Sequence, residues 1–160
     1  MARPYRTQDA EALWELKRGF ELGLGTSTGD DEKTTAYESK LDETYRREYL
    51  QWVDRCVDVN ERAVQVAERD GAVVGYVFVL PESMAYIWDA AVLNEIYVSE
   101  QYRGTGVADE LMENALAVAR EQSLPLDRLV LDVDRKNERA RAFYERWEFE
   151  HWGEMVARSL

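Results

Sequence analysis

The spacing of apolar residues changes along the chain, and the change separates helices from strands. In the first third the apolar positions recur at helical spacing, which predicts helices over about residues 9–20, capped by Thr7, and 37–57. The glycine-rich stretch 23–31 predicts a break between them and the least ordered part of the chain. A short opening strand is expected at residues 2–6.

Later in the chain the pattern alternates between strands and helices. Strand-like runs occupy residues 62–68 and 72–80, and the Asp70-Gly71 pair between them predicts a hairpin. Further strands are expected at 87–98, 128–134 and 149–157, with helices over about 107–122 and after the cap Asn137. A helix between strands 87–98 and 128–134 makes them parallel neighbours. The expected order is β-α-α-β-β-β-α-β-α-β in a single domain of residues 1–160.

The junction at residues 98–108, V-S-E-Q-Y-R-G-T-G-V-A, carries the clearest chemical signal. It joins a strand to a helix through Gly104 and Gly106, where a helix start leaves backbone N–H groups unpaired and positive. Such a junction indicates a site for a phosphate or another bulky anion. On the two glycines alone, an ordinary strand-to-helix turn explains the pattern equally well.

The same junction resembles the Q/R-x-x-G-x-G/A signature of the GCN5-related N-acetyltransferase (GNAT) superfamily, with Arg103, Gly106 and Ala108 in the matching places. Residues 93–98 resemble its fourth strand, and residues 137–149, N-E-R-A-R-A-F-Y-E-R-W-E-F, its N-x-x-A-x-x-F-Y-x-x-x-G-F segment. The resemblance implies an α/β (α+β) fold with a mixed central sheet of six to seven strands flanked by about four helices. Glu148 stands in place of the usual glycine, which predicts an altered helix end or a strained residue.

What the resemblance implies is transfer of an acetyl group from acetyl-coenzyme A directly to a primary amine. Backbone N–H groups of the glycine loop would hold the pyrophosphate, and the strand before the loop would pair with the pantetheine. A strand N–H near Ile96 or Tyr97 would meet the developing charge on the thioester oxygen. The residues implied to contact the coenzyme are Ile96, Tyr97, Val98, Arg103, Gly104, Thr105, Gly106, Val107, Ala108, Asn137 and Tyr144.

The transfer needs a proton donor for the departing thiolate and a proton acceptor for the amine. Tyr144 matches the family's general acid, although packing beside Phe143 is an equally good reason for an aromatic residue there. Glu95 and Asp132 are the candidate bases, with Glu95 slightly preferred. The alternatives are a solvated strand residue for Glu95 and an ion pair with Arg135 for Asp132.

Composition narrows the partners without identifying the acceptor, which is a small molecule or a protein amino group. The formal net charge of −12 argues against nucleic acid and favours a cationic partner or a salt-loving host. One cysteine, Cys56, and one histidine, His151, leave no cluster for a metal. Without an apolar run or a leader, the sequence predicts a cytoplasmic protein with no membrane partner. A homodimer is left open.

Aromatic residues are frequent in the early region, where acceptor specificity would be built. The region contains Trp14, Tyr37, Tyr45, Tyr49 and Trp52, and most of these five are expected in the core. Trp88 and Asp89 lie where a cationic acceptor could arrive, but packing at an edge strand is the better single explanation for them. Two alternatives to an enzyme remain at this point. One is an acyl-CoA-binding sensor module without turnover, and the other is a structural dimerisation domain.

Overall fold

The centre of the protein is a mixed sheet of five strands in the part of the chain that the structure, a computed structural model, describes: residues 2–28, 35 and 38–160. The strands lie in the order β1 (Ala2–Pro4), β2 (Val64–Arg69), β3 (Ala72–Val79), β4 (Ala91–Val98) and β5 (Leu129–Val130). The first four are antiparallel to their neighbours, and β5 runs parallel to β4. The expected parallel pair and the α/β class are therefore confirmed.

The helices flank this sheet and begin at identifiable caps. They are α1 (Ala10–Thr28), α2 (Glu43–Val59), α3 (Val107–Arg120) and α4 (Glu138–Arg146). The Asp42 carboxylate accepts the Tyr45 N–H at 2.8 Å to start α2, and the Asn137 side chain accepts the Ala140 N–H at 3.2 Å to start α4. No helix of the described residues combines the length and apolarity needed to cross a bilayer.

Two apolar clusters lie on opposite faces of the sheet. Because side chains alternate along a strand, Tyr76 and Phe78 of β3 enter the cluster with α1 and α2, whereas Val77 and Val79 enter the one with α3. Trp14 and Tyr49 are in the first cluster, as expected, with Tyr45 and Trp52 packed against it. Tyr37 lies outside the described residues. The sheet thus divides the protein into two packed layers.

Several predicted element ends were wrong. Helix α1 continues through the expected break to Thr28, and residues 29–31 of that stretch lie outside the described residues. Helix α2 begins at Glu43, because Asp42 caps it, and β4 begins at Ala91, because Glu82–Ile87 forms a 3-10 helix. Thr7 is not the first cap; the Asp9 carboxylate instead accepts the backbone N–H of Arg6 at 2.8 Å.

The expected six to seven strands are not found, because the C-terminal part has less sheet than predicted. Strand β5 is only two residues long rather than spanning 128–134, and the expected strand at 149–157 has no regular structure. Residues 150–160 are exposed throughout, with Met155 72% and Val156 91% accessible. A strand needs a paired neighbour, and β5 offers little backbone for it to pair with.

Candidate active site

A β-bulge opens a cleft between the two parallel strands. Phe78 of β3 faces Glu95 of β4, but Val79 faces Leu93, so Asn94 is an extra residue in β4. A bulge bends its strand. Strand β4 pairs with β5 only at Ala91 and Val92, on the near side of the bulge. Beyond it, residues 93–98 and 131–134 line opposite sides of one cleft.

The glycine loop forms one end of this cleft. Gly104 has φ 75° and Gly106 has φ 89°, a region that other residues rarely adopt. An added Cβ would meet nothing within 4 Å at either position, so backbone conformation rather than space requires glycine. Gly106 is the N-cap of α3, and both glycines line the cleft with Ala108. The loop therefore turns the start of a helix towards the cleft, as the sequence predicted.

The side chains of Thr105 and Val107, both expected to contact the coenzyme, do not face the cleft. The Val107 side chain is fully buried in the apolar cluster under α3, so only its backbone is available to a ligand. The Thr105 hydroxyl donates to the carbonyl of Tyr102, which fixes the turn. Neither residue lines the cleft, whereas Ile96, Tyr97 and Val98 do.

Two arginines stand at this end of the cleft. Arg103 donates from Nε to the Val98 carbonyl at 3.2 Å, and its guanidinium lies 5.4 Å from the centre of the Tyr97 ring. Burial and then the nearby charge of Arg103 lower the pKa of the Arg139 guanidinium. Within the described ranges, neither arginine forms an ion pair with a carboxylate. The charge of nearby Glu100 acts in the opposite direction, but two guanidinium groups against one carboxylate leave an excess of positive charge that favours an anion. The sequence analysis missed Arg139, although it lies inside the 137–149 segment.

Tyr144 packs beside Phe143, as one interpretation of the sequence expected, and its place in the cleft is compatible with the other, the general acid, which stays a prediction. Its ring packs 5.5 Å from Phe143 and 5.6 Å from Phe149, centre to centre, and it also lines the cleft. Burial raises the pKa of Tyr144 to about 12, with the charge of Arg139 acting in the opposite direction. Its hydroxyl therefore stays protonated well above neutral pH. Asn137, which caps α4, lines the cleft beside it.

Helix α4 is held against the glycine loop by a contact that the sequence analysis also missed. The Asp109 carboxylate, in the first turn of α3, accepts the Trp147 indole N–H and an Arg146 N–H, each at 2.8 Å. Since Asp109 follows the loop directly, this contact couples the position of Tyr144 to that of the loop. We call residues 103–108 and 137–144 together the coenzyme wall.

Glu95 lies in a buried polar group at the bottom of the cleft, not in solvent as the alternative interpretation expected. It is 4% exposed. Its Oε1 accepts the hydroxyls of Tyr49 at 2.9 Å and Tyr76 at 2.7 Å, and lies 3.2 Å from the Lys17 ammonium. Its Oε2 accepts the Asn94 amide N–H at 2.9 Å and, among the described residues, no other donor. The oxygen with room for another proton donor is thus Oε2.

The Lys17 ammonium links Glu95 to a second buried carboxylate. It lies 2.6 Å from Glu21 Oε1, and Lys40 lies 2.8 Å from Glu21 Oε2. The rings of Tyr49 and Phe20 flank the Lys17 ammonium at 4.7 Å and 5.1 Å. We call Lys17, Glu21, Tyr49, Tyr76 and Glu95 the floor cluster.

The pKa shifts within the floor cluster fix the protonation states of four of its side chains. Burial, followed by the charge of Glu95, raises the pKa values of Tyr49 and Tyr76 well above the ordinary value. Burial alone would lower the pKa of Lys17, but Glu95 and Glu21 outweigh it and raise that pKa. Burial would raise the pKa of Glu21, but Lys17 and Lys40 lower it. The tyrosines are therefore neutral donors, and Lys17 and Glu21 are an ion pair.

The other candidate base, Asp132, lies across the cleft from Glu95. It is exposed, lines the cleft beyond β5, and does not pair with Arg135, which instead donates to Glu154 at 3.0 Å. Glu148 has φ 66°, which confirms the strained residue expected where the family has glycine. No group of three or more histidine, cysteine or acidic side chains that could hold a metal occurs among the described residues.

Residues 26–149 match the model of the Acetyltransferase (GNAT) family. The chain belongs to this family. This GNAT chain is 34% identical over 97 residues to the 5-NmdU N-acetyltransferase of Pseudomonas phage PaMx11, covering 61% of this chain and 64% of that protein. It is 33% identical over 100 residues to an uncharacterized N-acetyltransferase of Archaeoglobus fulgidus, covering 61% and 65%. The chain spans 53% to 65% of the length of the curated relatives it matches.

Solved structures share the GNAT fold. The PaiA N-acetyltransferase from Thermoplasma acidophilum in complex with coenzyme A superposes with a TM-score of 0.72 at 20% identity, covering 91% of this chain and 86% of that one. A ribosomal-protein-alanine N-acetyltransferase from Brucella melitensis gives 0.70 at 22% identity, covering 96% and 86%. At these identities the similarity establishes the fold alone.

Proposed function

We propose that this GNAT protein is an acyl-CoA-dependent N-acetyltransferase that moves an acetyl group from acetyl-CoA to a primary amine by direct transfer. The observation that carries the proposal is the cleft at the bulge, which has an anion-binding loop and Tyr144 on one side and two carboxylates, Glu95 and Asp132, within reach. The coenzyme A complex of the Thermoplasma acidophilum protein, which has the same fold, supports an acyl-CoA donor.

The coenzyme wall fits a diphosphate. Backbone N–H groups of residues 104–108 point from a helix start, and Arg103 and Arg139 supply the two positive charges that such a ligand needs. Backbone groups of Ile96 and Val98 would pair with the amide-bearing pantetheine arm, because β4 has no partner on that side beyond the bulge. Bound acetyl-CoA supplies the activated thioester.

The remaining residues move protons. As the amine nitrogen bonds to the acetyl carbon and the carbon–sulfur bond breaks, the amine must lose one proton and the thiolate must gain one. We assign the donor to the Tyr144 hydroxyl, which is neutral at the working pH. We assign the acceptor to Glu95 through Oε2, with Asp132 as the alternative. A backbone N–H near Ile96 or Tyr97 would stabilise the oxygen charge.

The test is release of free thiol from acetyl-CoA across a panel of primary amines. Tyr144→Phe keeps the ring and removes the proton, so we expect kcat to fall by about 100-fold or more while affinity for coenzyme A is kept. Tyr86→Phe, at an exposed residue that does not line the cleft, is the matched control. Equal rates for wild type and Tyr144→Phe would refute the acid assignment.

The same experiment tests the alternative, an acyl-CoA-binding sensor without turnover. That alternative fits if Tyr144 faces the core and no carboxylate reaches the cleft; Tyr144, Glu95 and Asp132 all line the cleft, which favours the enzyme. Thermal stabilisation by coenzyme A together with thiol release supports the enzyme. Stabilisation without release from any amine would support the sensor, and no stabilisation at saturating coenzyme would contradict both.

A further inference from the structure

Aromatic rings make up much of the cleft at the end away from the glycine loop. Trp88 is 48% exposed there, which is unusual for a tryptophan with no partner surface. Trp52 lies 4.9 Å from Phe78, ring centre to ring centre, and is only half-buried. We call this end the acceptor wall; the side chains that form it are Phe20, Tyr45, Glu48, Trp52 and Trp88.

The charges beneath the acceptor wall are already balanced. Two carboxylates, Glu21 and Glu95, are matched by the ammonium groups of Lys17 and Lys40. The floor therefore offers no net negative charge to an incoming polycation, although the whole chain carries −12. The net charge of the chain can therefore attract a polycation from a distance without giving it a binding site at the floor. This attraction weakens with salt, because salt screens exposed charges that lie far apart.

One carboxylate of the acceptor wall is not neutralised within the protein. Glu48 is exposed, lines the cleft, and forms no ion pair in the part of the chain that the structure describes. It lies on α2 one turn before Trp52, so the two side chains share a helix face. A carboxylate beside aromatic faces binds a single ammonium group whose remainder is apolar.

We propose that the acceptor is a small monoamine with an aromatic or bulky apolar body, held by Trp52 and Trp88 and guided by Glu48, rather than a polyamine. This inference rests on the proposed function and names its substrate class. The amine enters as an ammonium ion near Glu48 and gives a first proton to solvent. As its nitrogen bonds to the acetyl carbon and the carbon–sulfur bond breaks, the nitrogen gives its second proton to Glu95 and the leaving thiolate takes the Tyr144 proton. Proton exchange with solvent then returns a proton to Tyr144 and removes one from Glu95.

The first test compares 2-phenylethylamine with spermidine as acceptors at physiological ionic strength. We expect kcat/KM to favour 2-phenylethylamine by about 10-fold or more, since burial of an apolar body discriminates on this scale. A preference for spermidine would overturn the proposal. Lowering the salt concentration is expected to improve spermidine more than 2-phenylethylamine, because the charge of −12 attracts it only at long range.

The second test removes one ring from the acceptor wall. Trp88→Ala is expected to raise KM for 2-phenylethylamine about 10-fold and to leave KM for acetyl-CoA unchanged. Tyr86→Ala is the matched control, because Tyr86 is 59% exposed on the 3-10 helix that Trp88 caps at its C-terminal end, but does not line the cleft. Equal effects of the two variants, or an equal rise in both KM values of Trp88→Ala, would contradict the role of Trp88. Because both side chains are exposed, neither substitution is expected to change the stability of the fold appreciably.

A binding measurement separates this inference from the proposed function. Calorimetric titration of the protein with 2-phenylethylamine and with spermidine, in the presence of coenzyme A, requires no turnover. Tighter binding of 2-phenylethylamine, lost in Trp88→Ala, would support the substrate class even if no thiol were released, a result that would overturn the enzyme alone. Equal or weaker binding than spermidine would overturn the substrate class even if acetyl transfer were observed.

Discussion

The floor cluster and the coenzyme wall face the same cleft, but only the floor cluster is paired within the protein. Its carboxylates, ammonium group and hydroxyls are at most 5% exposed, and they bond to one another across α1, α2, β3 and β4. The coenzyme wall instead presents loop N–H groups and two arginines, Arg103 and Arg139, that form no ion pair in the part of the chain that the structure describes. The polar groups of the floor cluster are satisfied within the protein, whereas the loop N–H groups and arginines of the coenzyme wall are available to a ligand.

Because of this contrast, substitutions in the two regions are expected to have different effects on stability and on ligand binding. A change in the floor cluster removes partners from buried charges, so it must affect folding as well as chemistry. Removing the charge of Arg139 in the coenzyme wall breaks no ion pair among the described residues, so it should affect ligand affinity far more than stability. Paired substitutions in the two regions can break this distinction, and each pair below has a defined contrary result.

The largest effect is expected at Glu95. Glu95→Gln leaves Lys17 with Glu21 as its remaining acid, and we expect about 3 kcal/mol less free energy of unfolding, as for other broken buried pairs. If Glu95 is the base, kcat falls by about 100-fold as well. The control Asp132→Asn, at an exposed residue, should change stability by less than about 0.5 kcal/mol. Urea unfolding measures the stability of both variants and thiol release measures their kcat. A loss of kcat confined to Asp132→Asn would assign the base to Asp132 instead.

The coenzyme wall is tested at Arg139. We expect Arg139→Gln to weaken coenzyme A binding by about 10-fold, the loss of one charge-assisted contact, with no change in unfolding free energy. Arg55→Gln removes the same charge from an exposed position outside the cleft and should do neither. Dephospho-coenzyme A should lose as much affinity as coenzyme A, whereas pantetheine should lose none. An equal loss with pantetheine would show that Arg139 only supports the structure.

A smaller effect, of stability alone, is expected at the end of α4. Glu148 has φ 66°, so Glu148→Gly should relieve strain and raise the free energy of unfolding by about 1 kcal/mol. Glu150→Gly, at an exposed residue without positive φ, is expected to be neutral or slightly destabilising. Chemical denaturation of both variants decides the point. Equal behaviour would mean that the strain is absorbed elsewhere.

The tyrosines of the floor cluster are expected to change the pH dependence of stability, with the smallest effect at neutral pH and a larger one in alkali. Their pKa values are raised in the folded protein, so the stability they contribute is fully present below the ordinary pKa of 10.0 and is lost as pH rises above it. The raised pKa of Lys17 acts in the same direction above 10.5. Urea unfolding between pH 8 and 11 should show this loss, with a shallower decline in Tyr49→Phe than in Tyr45→Phe. Equal slopes in the two variants would contradict it.

Local patterns predicted the conformation of the glycine loop and the start of α4, but not Arg139, the Asp109 contact or the floor cluster. The glycine loop is visible because φ values of 75° and 89° demand specific residues at fixed spacing. The cap at Asn137 and the strain at Glu148 were also predicted from single positions. Lys17, Tyr49 and Tyr76 meet Glu95 from 78, 46 and 19 residues away, and no spacing rule reaches that far. Whether residues 149–157 form a strand likewise depends on a neighbouring strand to pair with, which their own sequence pattern does not show.

The bulge at Asn94 has a consequence for how the cleft could arise. Val79 faces Leu93 and Phe78 faces Glu95, so β4 carries one residue more than its antiparallel neighbour requires. Deleting Asn94 would leave every facing pair of that ladder intact, and would remove the bend together with the hydrogen bond from the Asn94 amide to Glu95. The opening between the parallel strands therefore corresponds to an insertion of a single codon. Such an opening can be gained or lost in one genetic step without redesign of the sheet around it.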